Sequence, residues 1–206
     1  MEGFIDDLKD MIRKNGRVEE LRQIAQLNGF RFEDREKFSV QDYLLKPFSV
    51  FKGKKDKRFK GILMKDIFPP DGKIRIYDYF YWGDFKTRKT TIFEVKIKAL
   101  DLPKFEIRTK GILHQVSSFF IDNEKPYPEE KDFYTKYELL TPDPNHFEAT
   151  VSPKLFDLIL DRKDISVEGE GDYLLIYCTY QQTPAKAIME EYDYVLDVVD
   201  VVLNDD

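Results

Sequence analysis

The stretch I74-R-I-Y-D-Y-F-Y-W-G-D-F85 contains six aromatic residues among twelve, and they decide how this chain folds. Side chains of a β-strand point alternately to the two faces of a sheet. The large apolar side chains then share one face: Ile74, Ile76, Phe80 and Trp82. The other face carries the tyrosines: Tyr77, Tyr79 and Tyr81. This pattern predicts a half-buried strand whose aliphatic face points inward and whose tyrosines point outward.

The three tyrosines also support a functional interpretation. A row of exposed aromatic rings can stack on nucleic-acid bases, because every base has a π-face. Aromatic cross-strand pairs stabilise sheets equally well without a ligand, and we favour this structural interpretation. Asp78 lies on the apolar face of the same strand. If it is buried, it needs a lysine or arginine partner; near a sheet edge, it can reach water instead.

The sequence on both sides of this strand also has β character. Residues 58–68 are rich in large apolar side chains, and P69-P-D-G72 has the composition of a tight turn. T90-T-I-F-E-V-K-I-K-A-L100 alternates apolar and charged residues, with a second turn over 82–89 before it. These segments predict a three-stranded antiparallel meander.

Helices and further strands are predicted outside the meander. Apolar residues at helical spacing predict two N-terminal helices, over residues 4–12 and 18–27, followed by a loop-rich stretch with one or two short strands over 30–60. Further strands are predicted over 104–110 and 133–140. The C-terminal third predicts a helix after Ser152-Pro153, a hairpin over 164–180 and a helix after Thr183-Pro184.

These elements predict an α+β fold. We expect N-terminal helices, an antiparallel β-meander and then a helix–β-hairpin–helix unit, all on one sheet of about five to seven strands with its helices on one face. Residues 1–206 form a single domain in this interpretation, and a change of composition near 111–130 allows a subdivision.

The charge of the chain is distributed unevenly. The net charge is −6, which argues against general nucleic-acid binding. Residues 1–110 contain 26 Lys and Arg against 18 Asp and Glu, whereas residues 111–206 contain 7 against 21. We favour mutual attraction of the two halves within the fold. A dipolar surface that orients partners or drives self-association is the alternative.

The densest charge run lies at residues 52–60. The run has six basic residues and one acidic residue, Asp56. The basic residues are Lys52, Lys54, Lys55, Lys57, Arg58 and Lys60. Such a run can grip the phosphates of a nucleic acid or an anionic membrane surface. The alternatives are a solvated loop and a counterpart to the acidic C-terminal half.

Acidic residues offer weaker candidate sites. Glu168, Glu170 and Asp172 alternate with glycines, a pattern that can ligate calcium but is more typical of a hairpin turn. Glu190 and Glu191 are adjacent on a predicted helix, so their side chains splay apart. The chain has no phosphate-loop, dinucleotide-binding, nucleophile-elbow or zinc motif. We therefore expect no catalytic residue, no metal and no cofactor.

The chain has a single cysteine, which cannot form an internal disulfide and so suits either a reducing compartment or indifference to the compartment. Cys178 lies in an apolar strand pattern, so we expect a buried, inert thiol, and neither His114 nor His146 lies in a recognisable motif. No apolar run is long enough to span a bilayer, and the N-terminus is acidic where a signal peptide is basic. We expect a cytoplasmic protein.

Three short motifs carry a resemblance to a known family: L102-P-K-F105, F133-Y-T-K-Y-E-L139 and V167-E-G-E-G-D-Y-L-L-I-Y177. The chain resembles an uncharacterised family of bacterial proteins with LPxF, FxxxYxL and VEGxGxxLLxY segments. The resemblance implies a bacterial globular unit and implies no catalytic residue. Members often have membrane helices before this unit, and this chain is expected to lack them.

The leading functional hypothesis is a non-catalytic binding or scaffolding module. Its partner is an unknown protein or a second copy of the chain, with no nucleic acid and only a peripheral membrane contact. A phosphate-surface binder that uses the 52–60 run together with the tyrosine face of Tyr77, Tyr79 and Tyr81 is the first alternative, and an enzyme with an unrecognised site is the second.

Overall fold

The computed structural model describes residues 16–37, 44–67, 71–83, 86–98, 100–111 and 126–203. Eight strands are present in this part of the chain: β1 (Arg31–Lys37), β2 (Lys55–Ile67), β3 (Gly72–Gly83), β4 (Lys86–Ile97), β5 (Leu102–Thr109), β6 (Tyr137–Leu140), β7 (Ile165–Gly171) and β8 (Tyr173–Cys178). The helices are α1 (residues 16–28), α2 (Lys131–Lys136), α3 (Pro144–Thr150), α4 (Lys154–Leu160) and α5 (Ile188–Leu203).

All eight strands belong to one antiparallel sheet with the order β1-β2-β3-β4-β8-β7-β5-β6. The predicted meander is β2-β3-β4, in which β3 pairs with β4 along its whole length. The hairpin β7-β8 lies beside it, and the pairing of β4 with β8 joins the two halves of the sheet. A single sheet therefore connects the N-terminal and C-terminal parts of the chain.

The main hydrophobic core lies between one face of the sheet and the helices, and we call this the helical face. Leu21 and Ala25 of α1 pack there, as do Leu155 and Phe156 of α4. The last helix, α5, buries an apolar stripe on the same face: Ile188, Tyr192, Val195, Val198, Val199 and Val202. Its apolar residues recur at steps of three and four, which is the spacing of one side of a helix.

The opposite face, which we call the helix-free face, has a second and smaller core. Residues 44–54 lie over it and contribute Leu45, Phe48, Val50 and Phe51. We call residues 44–54 the capping segment. Backbone hydrogen bonds from the Phe51 and Lys52 amides to the Phe48 carbonyl hold it in compact turns. Both faces of the central strands are therefore covered, by helices on one side and by this segment on the other.

The structure confirms the predicted α+β class, with more strands than expected. The helix predicted over 4–12 lies outside the described residues. A strand predicted over 133–140 is wrong in its first half, because residues 131–136 are helical. Phe133, Tyr134 and Tyr137 occur at i, i+1 and i+4, so this spacing fits a helix face as well as a strand. None of the helices in the described residues is long and apolar enough to cross a membrane.

Candidate functional site

The tyrosine row of β3 lies beneath the capping segment. Tyr77 and Tyr79 are fully buried and Tyr81 is 5 % exposed. The ring of Phe51 meets Tyr79 edge-on at 4.9 Å between centroids, and Tyr79 stacks on Tyr81 at 5.1 Å. The expectation that these tyrosines point to solvent is wrong. In this conformation, their rings contact one another and the capping segment, and leave no row of open faces for a ligand.

The other face of β3 also departs from expectation near the end of the strand. Ile74 and Ile76 are buried in the main core, as predicted. Phe80 is only half-buried, however, and Trp82 is 48 % exposed. Alternation assigned the faces correctly, but the helical cover does not bury the end of the strand.

Asp78 has the cationic partner that its burial requires. Its carboxylate accepts hydrogen bonds from the Arg17 guanidinium at 3.1 and 3.3 Å. The Thr91 hydroxyl and the Gln182 amide also donate to it, at 2.7 and 2.8 Å. These contacts join α1, β3, β4 and the chain after β8. The role of Asp78 is therefore to connect structural elements.

Two buried carboxylates attach the capping segment to the sheet. Glu106 on β5 and Glu168 on β7 face each other across paired strands, and both are nearly inaccessible to solvent. The Ser49 hydroxyl donates to Glu106, while the backbone amides of Ser49 and Val50 donate to Glu168. The polar residue at the centre of the capping segment therefore lies directly over this acidic pair.

Further polar groups contact the acidic pair, and the pKa of Glu168 is raised. Arg108 donates to Glu106 at 3.4 Å, and the Tyr177 hydroxyl donates to Glu168 at 2.7 Å. Burial, together with the nearby charge of Glu106, raises the pKa of Glu168 to about 7. The attachment of the capping segment therefore includes a group that titrates near neutral pH.

A groove of about 540 Å³ lies on the helix-free face beside the capping segment. It crosses the sheet from β1 to β8, and Leu44 and Leu45 of the capping segment line one of its edges. Charged side chains of both signs line its strands: Arg31, Glu33, Asp66, Lys73, Arg75, Glu94 and Lys96. Most of these side chains are exposed, so the groove is an open, charged surface.

Cross-strand pairing holds the centre of the groove in a defined arrangement. Arg75 on β3 lies opposite Glu94 on β4, and their side chains form an ion pair at 3.3 Å. The buried hydroxyl of Tyr77 donates to the same carboxylate at 2.8 Å. At the far side, the Lys96 ammonium lies over the Tyr173 ring, 5.0 Å from its centroid. The described residues that line the groove include no His, Cys, Ser or Thr.

The basic run 52–60 lies away from this groove, at the junction of the capping segment and β2. Lys52, Lys55 and Arg58 are exposed. Lys54, Lys57 and Lys60 are half-buried, and burial together with Lys46 lowers the pKa of Lys57. The run therefore supplies exposed cations, whereas the tyrosines proposed to act with it are buried.

The acidic candidates of the β7-β8 hairpin separate in the structure. Glu168 is not at the hairpin tip but inside β7, where it pairs with Leu175 of β8. Glu170 forms an ion pair with Lys104 at 2.7 Å, and the turn itself lies at Gly171 and Asp172. Within the described part of the chain, no group of three His, Cys, Asp or Glu side chains could hold a metal ion.

The remaining candidate residues of the sequence analysis are the cysteine, the adjacent glutamates and the two histidines. Cys178 is partly buried, and burial raises the pKa of its thiol to about 11. Arg162 lies within ion-pair distance of both Glu190 and Glu191, at 3.6 and 3.1 Å. His146 is exposed in α3, and His114 lies outside the described residues.

Sequence reasoning missed both the groove and the acidic pair. Glu94, Glu106 and Glu168 each lie next to main-core residues in their own strands, so strand period could have assigned each of them to the face opposite those neighbours. The signal for their burial is the apolar residues of the capping segment, namely Leu45, Phe48, Val50 and Phe51, which lie in the stretch predicted to be loop-rich.

Comparison with known proteins supports the fold and identifies no family. No protein-family model and no curated protein matches this sequence. The crystal structure of the mycobacterial trehalose monomycolate transport factor A, TtfA, is similar to this chain, with a TM-score of 0.60 and 12 % identity. The match covers 91 % of this chain and 96 % of TtfA. At this identity, the similarity shows a shared fold.

Proposed function

We propose that this protein is a non-catalytic binding module that holds a partner protein in the groove of the helix-free face. The observation that carries this proposal is the groove itself, an open surface across several strands with charges of both signs. A protein surface presents both signs of charge, so such a groove can be complementary to it and select its register. Arg75 is already held by Glu94, which reduces the conformational entropy lost on binding.

The composition of the groove favours binding over catalysis. Carboxylates and lysines can also act in catalysis, but Glu94, the buried carboxylate of the described lining, already accepts hydrogen bonds from Arg75 and Tyr77, and that lining holds no His, Cys or Ser. The similar structure is named for transport and not for a reaction, which is compatible with a binding role. The acidic pair Glu106 and Glu168 lies under the capping segment, where a substrate would not reach it in this conformation.

Site-specific photocrosslinking tests this function. A photoreactive amino acid replaces Lys73, which lines the groove, or Lys131, which is exposed on α2 and serves as the matched control. In the cells that make this protein, position 73 should give one discrete crosslinked product and position 131 should not. Sedimentation velocity of the purified chain determines whether the partner is a second copy.

Charge reversal in the groove provides the second arm of the experiment. With the photoreactive residue at position 73, Lys96→Glu should reduce the crosslinked product by roughly tenfold, because exposed charge pairs contribute modestly and reversal also adds repulsion. Lys136→Glu on α2 is the control and should leave the product unchanged. Equal products at positions 73 and 131, or no effect of Lys96→Glu, would contradict the proposal.

A further inference from the structure

A basic and aromatic surface lies at one end of the sheet, and we call it the Trp82 surface. It consists of Lys55, Arg58, Lys60, Phe80, Trp82 and Lys89. Lys55 pairs with Trp82, and Phe80 pairs with both Arg58 and Lys89 across neighbouring strands. Directly opposed residues of antiparallel strands have their side chains on the same face. Three strands therefore bring these side chains together.

A β-bulge in β2 is needed to form this surface. Lys55 and Arg58 are three positions apart, so strict alternation would direct them to opposite faces. The register of β2 against β3 shifts between these two residues, and Asp56 has a positive φ of 51°. The bulge therefore brings both cations to the face that carries Phe80 and Trp82.

The surface is exposed and strongly cationic. Lys55, Arg58 and Lys89 are exposed, and Trp82 is 48 % exposed although it is among the largest apolar side chains. Asp56, beside Lys55, is the acidic residue of this part of β2. Basic side chains surrounding an exposed tryptophan are complementary to a surface that is both anionic and partly apolar.

We propose that the Trp82 surface docks this protein on a membrane that contains anionic lipids. Such a membrane attracts nearby Lys and Arg side chains by its negative surface potential. Tryptophan has an amphipathic ring that sits favourably at the level of the lipid headgroups. The basic side chains therefore match the negative charge of the membrane surface, and Trp82 matches its headgroup layer. The docking is peripheral.

A nucleic acid fits the surface less well. Single-stranded nucleic acids need open aromatic faces on which bases stack. Here, the Lys60 ammonium lies over the Phe80 ring at 5.5 Å. Of the two rings of this surface, Phe80 is thus covered by a cation and Trp82 is exposed. A single exposed ring suits insertion among lipid headgroups better than the stacking of successive bases.

The Trp82 surface and the groove are independent of each other. Lys73 in the groove and Trp82 are nine residues apart on β3, which corresponds to roughly 30 Å along a strand, and their side chains lie on opposite faces. A molecule docked through Trp82 therefore keeps the groove accessible to a partner, and either proposal can fail without the other.

Because Trp82 is the single tryptophan of the chain, its fluorescence reports directly on this surface. The probe is a vesicle of phosphatidylcholine that contains phosphatidylglycerol, and vesicles of phosphatidylcholine alone are the reference. Anionic vesicles should shift the emission to shorter wavelength and sediment the protein, and lipids with brominated chains should quench the emission. High salt should weaken the binding, since exposed charges are screened.

Substitutions on the surface should weaken sedimentation with anionic vesicles. Arg58→Glu with Lys89→Glu should reduce the apparent affinity at least about tenfold, because each basic residue near the membrane contributes a factor of roughly five. Trp82→Ala should reduce it by about tenfold through lost apolar contact. The matched controls are Lys131→Glu with Lys136→Glu, and Leu27→Ala, whose side chain is 84 % exposed. Thermal unfolding checks that each variant is folded.

Several outcomes would overturn the proposal. These are an unchanged emission spectrum with anionic vesicles, equal sedimentation of the Trp82→Ala and wild-type proteins, and equal losses in the control variants. Binding of single-stranded RNA through Arg58 and Lys89 without vesicle binding would assign the surface to nucleic acid. A dimer that dissociates on Arg58→Glu, without vesicle binding, would assign it to a second copy of the chain.

Discussion

Single buried polar residues determine how the elements of this protein connect. Asp78 is 2 % exposed on the helical face of β3, among residues that belong to the apolar core. The strand pattern places this acidic residue on an otherwise apolar face and predicts that burial would require a basic partner. It could not identify Arg17, which is 61 positions away in the chain and reaches Asp78 only when α1 packs on the sheet.

Removal of the Asp78 carboxylate should destabilise the protein. Asp78→Ala leaves the Arg17 guanidinium partly buried without its partner, and also removes the acceptor for Thr91 and Gln182. We expect a loss of about 3 kcal/mol in the free energy of unfolding, measured by urea denaturation.

The exposed pair of Arg22 and Asp34 provides the control for this substitution. Its N–O distance is 2.7 Å, shorter than that of Arg17 with Asp78, but both side chains are accessible to solvent. Asp34→Ala should cost less than about 0.5 kcal/mol, because exposed ion pairs contribute little. Equal losses for the two variants would show that Asp78 is not a buried connection.

At the scale of elements, the capping segment is the feature that distinguishes this sheet. It covers the tyrosines of β3 with its own apolar residues, while Ser49 and Val50 bond to the acidic pair. One short segment thus contributes both an apolar contact and a polar attachment. Its Leu44 and Leu45 also line the groove, so its position affects the surface that we assign to partner binding.

The attachment of the capping segment should make stability depend on pH. The pKa of Glu168 is raised from 4.5 to about 7, so the folded protein binds this proton more tightly than the unfolded chain. The stability that comes from proton binding is present below about pH 4.5 and is lost as the pH rises to about 7. The groups that face Glu168 are Glu106, Tyr177 and the amides of Ser49 and Val50.

Glu168→Gln isolates this contribution, because glutamine does not titrate. We subtract the free energy of unfolding of the variant from that of the wild-type protein. This difference should fall by up to about 3 kcal/mol between about pH 4.5 and about pH 7, and remain constant at higher pH. Urea denaturation at a series of pH values measures the difference. A difference that is constant or rises with pH would contradict the role of Glu168.

At the scale of the whole molecule, one strand pairing joins two groups of strands. The strands β1 to β4 are consecutive in the chain and in the sheet, whereas β5, β6, β7 and β8 form the other side. The hydrogen-bonded contact between the two groups runs through Ile92–Lys96 of β4 and Tyr173–Tyr177 of β8. The hydrogen bonds from Gln182 to Asp78 and from Arg17 to the Thr183 carbonyl connect the same two parts of the chain, and so does the contact of Tyr192 of α5 with Phe30.

Hydrogen exchange should identify β4 and β8 as the most protected strands. Both are paired on two sides and buried on two faces, whereas β1 and β6 form the sheet edges. Amides of Val95 and Ile176 should exchange only through global unfolding, and those of β6 through smaller openings of the structure. Two separate unfolding transitions would show instead that the chain contains two domains.

The sequence by itself determined the period of most elements, and therefore the fold class, although residues 133–136 were assigned to a strand and are helical. Alternation identified the meander and assigned the residues of β3 to two faces, because side-chain direction alternates regularly in a strand without a bulge. Only the tertiary structure decided which face is covered. Tyr79 is buried and Trp82 exposed because the capping segment packs over the first and the helices leave the second open, and such contacts join residues that are distant in the chain.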